Sequence, residues 1–78
     1  MPTVLVDGPY TLVFFSSDRS EPPHVHVKRD RRIAKFWLAS VALAKNFGFP
    51  GHELNTIARL VVQHEPLLLE AWREYFAT

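Results

Sequence analysis

Strand-like and helix-like periodicity fall in separate halves of this chain. Residues 1–39 read as strands and residues 51–77 as helices. Strands first and helices after fit an α+β domain whose helices cover one face of an antiparallel sheet. The expectation is a single domain, residues 1–78, with a small antiparallel sheet of three to four strands packed against two C-terminal α-helices.

Thr3 to Val6 is a short β-branched stretch stopped by Asp7-Gly8-Pro9, and Asp-Gly is a strong turn dipeptide because Gly accepts positive φ. Residues 10–16 are dense in β-forming Tyr, Thr, Val and Phe. Ser17 to Pro23 has the polar and proline content of a loop. His24-Val25-His26-Val27-Lys28 then alternates polar and apolar with period two, the mark of a half-buried strand. The strands are placed at 3–6, 10–16, 24–29 and 32–38.

A two-residue Asp30-Arg31 turn sets the register of the last pair. Arg29 then faces Arg32, Val27 faces Ala34 and Val25 faces Phe36. One face carries Val25, Val27, Ala34, Phe36 and Leu38; the other carries His24, His26, Lys28, Lys35 and Trp37. Asp-Arg is not a preferred hairpin dipeptide, so a longer loop also fits.

Val41 to Ala44 suits either a helical turn or a short strand. From His52 the helical spacing is plain, with Leu54, Ile57, Ala58 and Val61 at i, i+3, i+4 and i+7. Pro66 removes an interior helical hydrogen bond but is tolerated in a first turn. Two helices are therefore expected, at about 52–64 and 66–77, the second with Leu68, Leu69, Trp72 and Phe76 as its apolar stripe.

A 78-residue chain has little margin. Ordering each residue costs roughly 1.5 kcal/mol, and a domain of this size buries only about 60% of the surface its unfolded chain exposes. With 47% apolar residues, some aromatic surface should stay open for a second copy of the chain or a foreign partner. The chain has no cysteine, which excludes disulfides and thiolate metal sites. Its net charge of +1 is too weak to argue for nucleic acid or an anionic membrane by itself. No apolar run approaches the ~20 residues that span a bilayer. Met1-Pro2-Thr3-Val4 lacks the basic and apolar regions of a secretory signal, so a cytoplasmic location is expected.

Two constellations could carry chemistry. His24 and His26, two apart on a strand, point the same way with Cα atoms roughly 6.5–7 Å apart. They could serve as an acid–base pair across a phosphate, with Lys35 as its anchor, or contribute two ligands to a metal. A metal would need a third ligand, and His52, His64, Glu21 and Asp18 are candidates only through the fold. The second constellation is the basic hairpin of Lys28, Arg29, Arg31, Arg32 and Lys35, which with Trp37 could contact RNA or an acidic partner. The bland readings are a solvated His-x-His strand face and a strand edge kept from aggregating by its charges. The helix aromatics Trp72, Tyr75 and Phe76 fit a core stripe. There is no Gly-rich phosphate loop, Ser-His-Asp pattern or zinc-finger spacing, and no cofactor is expected.

Several segments together are similar to the bacterial family known as domain of unknown function 4160. They are Met1-Pro2-Thr3-Val4, Glu21-Pro22-Pro23-His24-Val25-His26-Val27, Ala34-Lys35-Phe36-Trp37-Leu38, Asn46-Phe47-Gly48-Phe49, Glu53-Leu54-Asn55 with Ile57, and Trp72 with Tyr75-Phe76. The resemblance covers essentially the whole chain and carries no assigned catalytic residues. It implies a small bacterial protein encoded beside another small protein, in a neighbourhood like a toxin–antitoxin operon. Two places depart from the pattern: the hairpin tip is more basic than a Gly-containing turn, and Pro66 interrupts a region that usually reads as uninterrupted helix.

The leading expectation is thus one component of a toxin–antitoxin-like pair that binds a small neighbouring protein. A toxin would act on RNA through His24, His26 and Lys35. The alternative is a non-enzymatic binding module, an antitoxin or adaptor, in which the histidines could be buried into structure.

Overall fold

The computed structural model describes residues 3–15 and 19–77. The β-branched and aromatic runs form strands β1 (Thr3–Asp7), β2 (Tyr10–Val13), β3 (His24–Arg29), β4 (Arg32–Trp37) and β5 (Ala42–Phe47). A single helix, α1 (Gly51–Tyr75), follows. Each strand pairs antiparallel with its neighbour in sequence, giving one five-stranded sheet in the order β1-β2-β3-β4-β5.

The β3–β4 hairpin has the register that a two-residue Asp30-Arg31 turn sets. Arg29 pairs with Arg32, Val27 with Ala34, Val25 with Phe36 and His24 with Trp37. The two-residue turn forms despite its composition, because Asp30 takes φ 55° at the first central position, where glycine is the usual occupant.

The expected three to four strands and two helices are corrected on both counts. Residues 42–47 form a fifth strand. Ala, Leu and Lys are good helix formers, so local propensity there does not announce a strand. Pairing with β4 decides it, from Trp37–Ala42 to Ile33–Phe47, with a bulge opposite Lys35 and Phe36. The second correction concerns Pro66, which lies inside one 25-residue helix rather than at the start of another. Its ring is on the exposed side, while Ile57 and Val61 before it and Leu68 and Trp72 after it are all buried against the sheet. Burying each such side chain is worth roughly 1.5–3 kcal/mol, so seating both halves offsets the ~3 kcal/mol penalty of an interior proline.

Boundaries also shift. β2 ends at Val13 rather than at residue 16, and Ser16 lies outside the described residues. β4 ends at Trp37, and the Leu38 amide donates instead to the Pro23 carbonyl at 3.0 Å.

The core lies between the helix and the sheet face that carries Leu12, Val25, Val27, Ala34 and Phe36, closed at its ends by Phe14, Leu38 and Phe49. Because successive strand residues alternate faces, Thr11, His26, Lys28, Ile33, Lys35, Trp37, Lys45 and Phe47 point to the side away from the helix.

Candidate functional site

The histidine strand and its partner converge on one corner of the sheet. Register sets His24 opposite Trp37 and His26 opposite Lys35. The His24 and His26 rings are 5.3 Å apart, and the His24 ring is 5.7 Å from that of Trp37. Trp72 reaches the same imidazole from the helix, at 5.2 Å. Phe15 stacks edge-on against His26 at 4.4 Å.

His24 is 0% exposed. Its Nδ1 lies 2.9 Å from the Pro22 carbonyl, so that nitrogen carries the proton and donates it. Glu21 Oε1 is 3.8 Å from the same nitrogen and forms an ion pair with Lys35. The Lys35 ammonium also sits 4.7 Å from the centroid of Trp37, a cation–π distance. Lys35 is therefore held between a carboxylate and an aromatic face. A general acid or base must come within hydrogen-bond reach of the proton it moves, and the His24 ring is enclosed.

His26 is half-buried and opens on a cleft of about 230 Å³ lined by residues of β3, β4 and β5 and by Phe15. Phe15, Ile33 and Phe47 supply its apolar wall, and Lys35 and Lys45 its charge. Of the predicted catalytic set, His26 and Lys35 share this cleft and His24 sits behind it.

The basic hairpin is not one patch. Arg29 turns back to α1, where its guanidinium bonds the Glu53 carboxylate. The Arg32 side-chain stem runs beside Gly48, close enough that a Cβ there would lie 3.1 Å from Arg32 Cγ. Gly48 has φ 102°, which favours glycine independently. Arg31 is exposed at the turn, Lys28 is half-buried on the outward face, and Trp37 is held by His24 and Lys35. Among the residues considered as a third metal ligand, His52 is exposed and His64 bonds Asp7 at 2.9 Å. Glu21 is engaged by Lys35, and Asp18 lies outside the described residues. Among the described residues, no three His, Asp or Glu side chains are grouped to hold a metal.

A buried polar junction stands outside the sequence expectations. The Tyr10 hydroxyl donates to Glu53 Oε2 at 2.8 Å, and Arg29 donates to the same oxygen. Burial raises the Tyr10 phenol's pKa above its ordinary value, and the hydrogen bond to the Glu53 carboxylate adds to that. The signal was present: Glu53 lies one turn before Ile57, so an acid occupies the stripe that otherwise reads Ile57, Val61, Leu68 and Trp72.

The family model described as a domain of unknown function, DUF4160, matches residues 10–73. The chain belongs to the DUF4160 family. No curated protein and no solved structure matches it. The DUF4160 match begins at Tyr10 on β2 and ends in the last turn of α1. It takes in the His24–Trp37 corner, the cleft beside β5 and the Tyr10–Glu53–Arg29 junction, and leaves β1 outside.

Proposed function

We propose that this DUF4160 chain is the docking half of a two-protein bacterial module of the toxin–antitoxin kind, and that it acts by binding its partner protein rather than by catalysis. The observation that carries this reading is β5. It ends the sheet, and five of its six residues are exposed while the sixth is only half-buried. Leu43 and Phe47 both stand open on it, Phe47 at 62%. A strand of six residues whose outer edge is unpaired among the described residues, with open apolar side chains, invites another chain. A cytoplasmic setting goes with this reading, motivated by the absence of cysteine in a small domain.

The test is co-expression with the product of the adjacent gene. Stoichiometric co-purification is expected, with unimpaired bacterial growth when this chain is induced alone. A protein that stays monomeric and captures nothing from its neighbour would remove the basis of the proposal.

A second reading, an RNA-acting toxin, draws support from His26, Lys35 and Lys45 around one cleft. It expects growth arrest on induction of this chain alone and relief by His26→Ala in a folded protein. Arrest that persists in that variant would count against it.

A further inference from the structure

We infer that the free edge of β5 receives an extended segment of a partner protein, added as a sixth antiparallel or parallel strand, with acidic side chains on the outward face and aliphatic ones on the helix side. This rests on the docking reading above and names the chemistry of what docks.

Two features set that chemistry. The bulge in β5 changes the phase of its side chains: Lys45 and Phe47 pair with outward-facing Lys35 and Ile33, whereas Leu43 pairs with Phe36, which faces the core. An incoming strand therefore meets a cation on one face and an aliphatic group on the other. Alternation of acidic and aliphatic residues matches both at once, because strand side chains repeat with period two.

The second feature is charge. The outward residues of β3, β4 and β5 include Lys28, Lys35 and Lys45 and no acid. The nearby carboxylate of Glu21 is taken by Lys35, and Lys45 makes no ion pair among the described residues. Lys45 also lines the cleft beside the edge, so a carboxylate on the added strand can sit between it and Phe47.

The same charges decide against a second copy of this chain. Joining β5 to β5 about a two-fold axis makes one continuous sheet and places both outward faces on the same side. Lys45 lies on the joining strand, so Lys45 of each copy would then approach the other across the new seam, and like charges across strands destabilise pairing. A segment carrying Glu or Asp turns that repulsion into attraction.

The experiment is an NMR titration of the isotope-labelled full chain with an eight-residue peptide of alternating Glu and Val. A matched Lys/Val peptide and a ten-nucleotide oligouridine serve as comparisons. Shift changes confined to Ala42–Phe47 and adjoining β4 are expected with Glu/Val. Affinity should be at least about tenfold higher than for Lys/Val and should weaken as salt shortens the Debye length from about 10 Å to about 3 Å. Lys45→Glu should invert the preference between the two peptides, with an unchanged spectrum elsewhere showing that the fold is kept. Equal binding of both peptides, shifts located on α1, tighter binding of the RNA, or a dimer joined through β5 would each overturn the inference. Capture of the neighbouring protein that survives Lys45→Glu unchanged would overturn it too while leaving the docking function standing. Peptide binding without capture of that protein would fail the docking function alone.

Discussion

The Tyr10 hydroxyl and the Glu53 carboxylate meet at 2.8 Å across 43 positions of sequence, fastening the second strand to the first turn of the helix. Both residues are buried, and Arg29 from the end of β3 completes the junction on the same carboxylate oxygen. One acid thus ties two strands to the helix.

Glu53→Ala should destabilise the fold by about 2–3 kcal/mol, because it strands a buried hydroxyl donor and a guanidinium. Tyr10→Phe should cost about 1 kcal/mol, since Glu53 keeps Arg29. Urea denaturation of the two variants checks the order, and a Tyr10→Phe loss equal to that of Glu53→Ala would contradict it.

The junction should also show in alkali. The Tyr10 pKa is raised in the folded state, so the stability linked to it is fully present below the unfolded value of about 10. It is lost as pH rises through the higher folded value, where the unfolded chain has released the proton and the folded one still holds it. Unfolding free energies measured from about pH 9 to about pH 11 should fall more steeply for the natural chain than for Tyr10→Phe. Parallel curves would rule out Tyr10 as the cause.

Pro66→Ala should stabilise the protein by about 1–2 kcal/mol, restoring a helical hydrogen bond and relieving the ring clash, less a contribution from the freer unfolded chain. Calorimetry should show a Tm higher by roughly 4–15 °C for a domain of this size. An unchanged or lowered Tm would mean that the proline ring is accommodated without strain.

Asp30→Gly should add about 0.5–1 kcal/mol, since φ 55° is disfavoured for a residue with a Cβ. The Asp30–Arg29 ion pair lost in the exchange is long, at 3.9 Å, and solvated, so it offsets little. Thermal melts at neutral pH decide it, and a loss of stability would locate the importance of Asp30 in its carboxylate.

His24→Ala should cost about 2–4 kcal/mol, removing a ring enclosed by His26, Trp37 and Trp72. His26→Ala, at the cleft, should cost less. Chemical denaturation separates the two, and a His24→Ala protein as stable as its parent would show that the ring is not a packing element. Any loss of function on changing both histidines must be read against this difference.

Much of the fold was legible in the residues. Period-two alternation from His24 to Lys28 marks β3, the β3–β4 register is the one that a two-residue Asp30-Arg31 turn sets, and helical spacing from Leu54 to Val61 locates the face that packs on the sheet. β5 was not legible, because Ala42-Leu43-Ala44-Lys45 is built of good helix formers and pairing with β4 makes it a strand. Pro66 misled for the opposite reason: its local penalty is real, but buried side chains on both sides outweigh it. For the candidate site, alternation could place His24 and His26 on one strand. It could not show that Trp72, 48 positions on, closes over the first of them.

The order of elements along the chain has a consequence for how the protein is made. All five strands leave the ribosome before α1, and hairpins between neighbours can zip as they emerge. Until the 25 residues of the helix follow, Leu12, Val25, Val27 and Phe36 form a naked greasy surface. At about 5–20 residues per second that interval lasts on the order of seconds. A nascent chain stalled or truncated before residue 51 would be a sticky half-molecule, handed to chaperones or proteases rather than to a partner.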